Sequence, residues 1–358
     1  MRSNLWLAKV AILVAAIVNA MPTSGRSDDP DKLNARVIEL YEAGEYGKAI
    51  PLAKKLVAIC EKALGPDHPS TAASLEGLAG LYEAQGEYSQ AEPLYTRALA
   101  IYEKVLGPDH PNTATSLNNL AVLYEAQGEY SRAEPLYKRA LAIDEKAIGP
   151  DHPNTATSLE GLAGLYEAQG EYSQAEPLYT RALAIREKAL GPDRPSTATS
   201  LNNLAGLYKA QGEYAQAEPL YTRALAIYEK ALGPDHPSTA TSLNNLAGLY
   251  KAQGEYSQAE PLYTRALAIR EKAFGPDRPS TATSLNSLAV LYEAQGEYAQ
   301  AEPLYTRALA ICEKALGPDH PSTAASLEGL ADLYRKTGRE AEAVKIEARA
   351  KKIWATAK

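Results

Sequence analysis

Ser200-Leu-Asn-Asn-Leu-Ala-Gly-Leu-Tyr-Lys-Ala-Gln-Gly-Glu-Tyr214 returns residue for residue as Ser242 to Tyr256, an offset of 42 positions. Gly-Pro-Asp keeps the same period, starting at Gly65, Gly107, Gly149, Gly191, Gly233, Gly275 and Gly317. A fixed period in this range belongs to stacked supersecondary units rather than to one globular core. A length of 358 residues alone suggests about two or three domains. The repeat overrides that count and predicts one elongated body. Function is then expected on a long surface, not in a catalytic pocket.

One unit, Asn112 to Gly149, reads as a helical hairpin. Pro111 ends a loop, and Asn112 or Thr113 can cap a first helix. Leu117, Leu120, Ala121 and Tyr124 fall on one helical stripe. Gly128 is a left-handed stop. Ser131 and Glu134 suggest a capping box for a second helix, with Pro135 in its first turn. Ala133, Tyr137, Ala140, Leu141 and Ile148 give that helix its apolar side. Lys146 suits the negative end, and Gly149-Pro150 stops it. The bias to Tyr, 23 against one Phe and two Trp, comes from recurrence at fixed positions and so reports packing first.

Leu-x-x-Leu-Ala-x-x-Tyr, eight residues, then Ala-x-x-x-Tyr-x-x-Ala resembles the tetratricopeptide repeat. The longer second helix, the Gly-Pro-Asp loop, Leu-Asn-Asn-Leu-Ala and Ala-Glu-Pro-Leu-Tyr make the unit similar to the repeats of kinesin light chains. The resemblance covers residues 31–354 as eight repeats. It implies an all-α, right-handed superhelical solenoid whose first helices line the concave side. The last repeat, with Lys336-Thr-Gly-Arg and added lysines, reads as a polar cap. A tail follows at 355–358.

The first twenty residues differ. Arg2 and Lys9 flank a short apolar stretch, and Val18-Asn19-Ala20 offers small residues. The stretch is shorter than the roughly 20 residues a spanning helix needs, so 1–20 is expected to be a signal peptide cleaved near Ala20. Residues 21–30 read as a linker, and the mature chain as secreted or periplasmic without stable membrane insertion. Loss of Arg2 and Lys9 takes the formal charge from −7 to −9. An acidic chain argues against a nucleic-acid partner. Cys60 and Cys312 occupy one slot of different repeats, too far apart for a disulfide that needs Cα atoms within about 7 Å.

The face opposite the buried stripe holds Thr115, Asn119, Val122 and Ala126, flanked by Asn118. It is small and polar where a solvated helix face would prefer Lys and Glu. Asn carries a donor and an acceptor and suits an extended peptide backbone. Asn118, Asn119, Asn202, Asn203, Asn244, Asn245 and Asn286 are therefore candidate groove residues. Lys209 and Lys251 replace the Glu found at Glu83 and Glu125 and are expected on the groove edge. Unit 71–112 carries a net −4, unit 197–238 a net −1 and unit 239–280 a net +1. An acidic segment would be drawn to repeats five and six.

The histidines, one per Gly-Pro-Asp loop, do not match zinc-ligand spacing, and Arg194 and Arg278 interrupt the series. A loop-stiffening role is expected for them, with Asp67 and its equivalents making local turn bonds. No phosphate loop, nucleophile elbow, metal cluster or cofactor motif is visible. The reading is a non-catalytic scaffold binding a protein or an extended, acidic peptide. A self-associating or spacing solenoid is the alternative, and an accessory domain of an enzyme the weakest.

Overall fold

The computed structural model describes residues 30–356. The segment read as a signal peptide and residues 21–29 of the linker lie outside the described residues. The chain divides into two compact units, one ending at Pro150 and one beginning at Asp151. The sequence suggested a single body; in a solenoid contacts run between neighbours only, so an inter-repeat loop can serve as a boundary.

The first unit contains α1 (Pro30–Glu42), α2 (Tyr46–Leu64), α3 (Pro69–Ala84), α4 (Tyr88–Val105), α5 (Pro111–Ala126) and α6 (Tyr130–Ala147). The second contains α7 (Pro153–Ala168), α8 (Tyr172–Leu190), α9 (Pro195–Gln211), α10 (Tyr214–Leu232) and α11 (Pro237–Gln253). It continues with α12 (Tyr256–Phe274), α13 (Pro279–Gln295), α14 (Tyr298–Ala315), α15 (Pro321–Lys336) and α16 (Glu340–Thr356). The described residues contain no strand, so the chain is an all-α array of helical hairpins. None of these helices is long and apolar enough to cross a membrane.

Five first helices start on histidine. His110 is the N-cap of α5, and its Nδ1 accepts from Asn112 N at 3.1 Å. His68, His152, His236 and His320 cap in the same way. This corrects both the loop-stiffening expectation and the cap assigned to Asn112 or Thr113. Thr113 instead donates to Gly107 O at 2.9 Å and closes the loop behind the cap. Arg194 and Arg278 cap nothing; each Nε donates to the end of the preceding second helix, at Leu190 O and Phe274 O.

The turn at Gly128 is as expected. Its φ is 75°, Gly128 N donates to Glu125 O and Glu129 N to Tyr124 O, the paired bonds of a Schellman stop. The capping box is absent. The second helix begins at Tyr130 with Glu129 as an N-cap lacking a side-chain bond, while Glu134 pairs with Lys138 at 2.7 Å. Pro135 thus lies in the second turn, on an exposed face where water can serve the freed carbonyl. Ile143 is buried, whereas Leu141 and Ile148 are only half-buried.

The core joins small to large. Tyr221 is 2% exposed and packs against Ala205 and Ala217 of its own hairpin and Leu246 and Leu249 of the next. Tyr263 and Tyr305 repeat this with Ala247, Ala259, Leu288 and Leu291, and with Ala289, Ala301, Leu330 and Leu333. Cys60 and Cys312 are buried free thiols, and burial pushes both up from the ordinary thiol range.

Loop aspartates do not make local turn bonds. Asp193 accepts from Lys230 Nζ at 2.7 Å and Asp277 from Lys314 at 2.8 Å, each Lys lying in the following second helix. Asp67 pairs with Lys104 at 2.5 Å in the first unit. A second bridge joins consecutive second helices: Arg223 meets Glu187, and Arg265 meets Glu229, both at 2.7 Å. These exposed pairs fix register more than they add stability.

Two predictions follow from this packing. Tyr305→Ala and Tyr221→Ala should each cost about 3–5 kcal/mol. Tyr305 also donates to Glu293 at 2.7 Å, and Tyr221 makes no side-chain hydrogen bond, so Tyr305→Phe should cost about 1 kcal/mol and Tyr221→Phe close to nothing. Urea unfolding followed by circular dichroism compares the four variants. The lysines also hold Asp151, Asp193, Asp235 and Asp277 below the ordinary Asp range. A lowered carboxyl stabilises the fold above its unfolded pKa and loses that effect as pH falls through the folded one. Melting temperature at low salt should therefore drop as pH falls through and below about 4, and less so in the Asp193→Asn, Asp235→Asn, Asp277→Asn triple variant.

Candidate functional site

The candidate residues belong to two units. Asn118 and Asn119 lie on α5, the others on α9, α11 and α13 of the second unit. Within that unit consecutive first helices touch one another, α7 to α9, α9 to α11, α11 to α13 and α13 to α15. Their shared face is closed in by neighbours on both sides. Thr199, Asn203 and Gly206, which stand 84 residues after Thr115, Asn119 and Val122 of the face read as opposite the buried stripe, are consequently half-buried, and of that set only Ala210 is open.

The two asparagines of each Asn-Asn pair have different roles. Asn202 is 2% exposed and accepts from Ser242 Oγ of the next first helix at 3.5 Å. Asn286 Nδ2 donates to Ser326 Oγ at 2.9 Å. These side chains hold neighbouring hairpins together, because their helical position points at the next helix rather than across the groove. Asn118 and Asn244 share their slot and are half-buried. In the second position, Asn119 donates to Glu76 Oε1 at 3.1 Å and is thereby engaged within the first unit. Asn203 and Asn245 are half-exposed and make no side-chain hydrogen bond. They are the members of the set open to a ligand.

Lys209 and Lys251 are not rim charges. Their slot holds Glu in neighbouring hairpins, where it accepts from the second-helix tyrosine: Tyr179 to Glu167 at 2.8 Å and Tyr305 to Glu293 at 2.7 Å. Lysine cannot accept, so the Tyr221 and Tyr263 hydroxyls are left without that bond. A Cβ added at Gly248 would lie 3.4 Å from Lys209 Nζ and 3.4 Å from the Tyr263 hydroxyl, so both side chains reach over the glycine. Burial pushes the Lys209 ammonium down from the ordinary Lys range; the like charge of Lys251 adds to this and Glu167 opposes it. Burial likewise lowers Lys251, against Glu293. Neither lysine is in a salt bridge. Glu293 is engaged elsewhere, accepting from Lys336 at 2.7 Å.

One cation was counted in the sequence only as net charge. Arg270, near the end of α12, is 9% exposed. It donates to Ser280 O at 3.2 Å, Ser284 Oγ at 2.9 Å and Thr241 Oγ1 at 3.3 Å, and no carboxylate faces it. Burial lowers it to about 10, so it remains a cation at neutral pH. Asn244 Oδ1 is buried without a donor. The signal available in the sequence was the slot: Cys, Tyr, Asp and Trp stand there in other repeats, and Arg only at 186 and 270. An open pocket of about 350 Å³ elsewhere on this face is lined by Lys251, Tyr263, Thr283, Asn286, Ser287 and Val290. The arrangement offers three cations lacking carboxylate partners, two amide side chains and an apolar recess. No group of metal-ligating side chains is assembled among the described residues.

The tetratricopeptide repeat model matches residues 38–104, 82–146, 132–188, 166–230, 196–272, 258–314 and 280–355. A Podosopora anserina structure with nearly identical TPR-like repeats, named for kinesin light chain, is 33% identical over 57% of this chain and 97% of its own, with a TM-score of 0.48. BtubC (BKLC) from P. vanneervenii is 26% identical over 65% and 91%, TM-score 0.50. A Rap protein complexed with Competence and Sporulation Factor covers 99% of both chains at 15% identity and TM-score 0.68, a likeness of fold alone. No curated protein matches the chain.

The division of the asparagines is open to measurement. Asn202→Ala should lower stability by about 1–3 kcal/mol, leaving Ser242 without its partner. Asn203→Ala should change it by less than about 0.5 kcal/mol. Equal losses in chemical unfolding would show that both are structural.

Proposed function

Because the chain belongs to the tetratricopeptide repeat family, we propose that the face formed by α9, α11 and α13 is a non-catalytic binding groove for an extended acidic segment of a protein partner. The carrying observation is Arg270, a buried guanidinium with no carboxylate, in the same hairpin as the unpaired Lys251. A buried cation is costly unless its charge is answered, and a ligand carboxylate would answer it. Asn203 and Asn245 suit the segment's backbone, and the orphaned Asn244 oxygen suits an N–H donor. The surrounding unit, 239–280, carries a net +1 where its neighbours 197–238 and 281–322 carry −1 and −3. The solved complex of a Rap protein with Competence and Sporulation Factor supports ligand binding by a fold of this class.

The test is fluorescence anisotropy with a dye-labelled octaglutamate peptide. Arg270→Ala should weaken binding at least about tenfold, the loss of a charge-assisted contact. Asn203→Ala with Asn245→Ala should weaken it without changing helicity. Lys209→Glu with Lys251→Glu should slow association and remove most of its salt dependence. Pairing with a carboxylate requires the ammonium form. Binding should therefore be full at neutral pH and fall as pH rises through the lowered lysine values, earlier than for ordinary lysines. Unchanged affinity in Arg270→Ala and in both double variants would mean that this face is not the binding surface.

A further inference from the structure

The slot of Arg270 holds a second arginine, Arg186 of α8, and the two differ in one respect. Arg186 Nη2 meets Glu160 Oε2 of α7 at 2.6 Å, with both side chains about 10% exposed or less. The rest of its surroundings match those of Arg270: Nη1 donates to Ser196 O at 3.2 Å and Nη2 to Thr157 Oγ1 at 3.3 Å. The corresponding partners of Arg270 are Ser280 O and Thr241 Oγ1, at 3.2 and 3.3 Å. The equivalent of Glu160, 42 residues on at each step, is Asn202 and then Asn244. Glu160 is also held by Ser200 Oγ at 2.5 Å on the next first helix, whereas the equivalent serine for Asn244, Ser284, is bound by the arginine instead.

We propose that Glu160 is a built-in occupant of the carboxylate seat in its own hairpin, and that it confines an acidic ligand to the seat at Arg270. The same set of partners around an arginine is thus built twice in the second unit. In one copy the chain supplies the carboxylate; in the other the position carries Asn, which is neutral and leaves the guanidinium unanswered. The copy between them carries Tyr228, whose hydroxyl bonds Thr199 at 2.8 Å and which offers no cation. The groove therefore has a closed end at Glu160, and the choice of Glu or Asn at this slot sets where along the array an acidic residue can enter. This inference rests on the carboxylate reading of the groove given above.

Two reciprocal variants test it, using the dye-labelled octaglutamate peptide and an equally labelled uncharged peptide. Glu160→Asn recreates the Asn–Arg combination already present at Asn244 and Arg270, so the fold has accommodated it once. It should open a second seat, seen as a doubled stoichiometry or about a tenfold gain in affinity for octaglutamate alone. The gain should vanish in Glu160→Asn with Arg186→Gln. Asn244→Glu should fill the seat at Arg270 and weaken binding to the level of Arg270→Ala. The inference is overturned if Arg270→Ala weakens binding but Glu160→Asn gives no gain and Asn244→Glu binds like the wild type. If Arg270→Ala itself binds like the wild type, the carboxylate reading fails first. Should Glu160→Asn lose helicity, the Asn244→Glu result decides alone.

Discussion

Joints in the second unit depend on one contact, a second-helix tyrosine (Tyr221, Tyr263 or Tyr305) closed between alanines of its own hairpin and leucines of the next. Tyr221 touches Ala205 and Ala217 on one side and Leu246 and Leu249 on the other. The alanines let two backbones approach, and the ring fills the space that small residues leave. Because the ring belongs to both hairpins, stacking and hairpin formation are the same event. A change of residue at any of these positions would be felt in two repeats, which explains why they scarcely vary along the chain.

Fixing the core in this way frees other positions to differ. The Glu-to-Lys exchange at Lys209 and Lys251 removes an acceptor from Tyr221 and Tyr263 yet leaves both rings buried. The stability of the joint comes from packing, so the hydroxyl bond is dispensable and its position can carry charge. The same holds for the slot shared by Arg186, Tyr228 and Arg270, and for its facing slot of Glu160, Asn202 and Asn244. Identity of the repeats supplies a regular frame, and a few exchanges within it decide where charge is balanced and where it is left open.

The loops illustrate a different economy. Gly-Pro-Asp-His-Pro reads as a turn, and each of its residues acts beyond the turn. Histidine caps the following helix, aspartate reaches a lysine 37 residues later, and the proline carbonyl accepts from an arginine 31 residues later. The loop is thus the outer register mark of the stack, as the tyrosine is its inner one.

The sequence by itself determined the period, the hairpin, the buried stripe of Leu117, Leu120, Ala121 and Tyr124, and the glycine stop. These are local: periodicity and backbone preference act within a few residues, and forty-two positions are enough to display them. It also singled out the Asn and Lys positions that vary from an ordinary solvated helix face. The tertiary structure alone decided their roles. That Asn202 turns to Ser242, that Glu160 answers Arg186 and that nothing answers Arg270 are contacts across 26 to 40 residues. They depend on the rotation of one hairpin against the next, which no residue pattern within a single repeat contains.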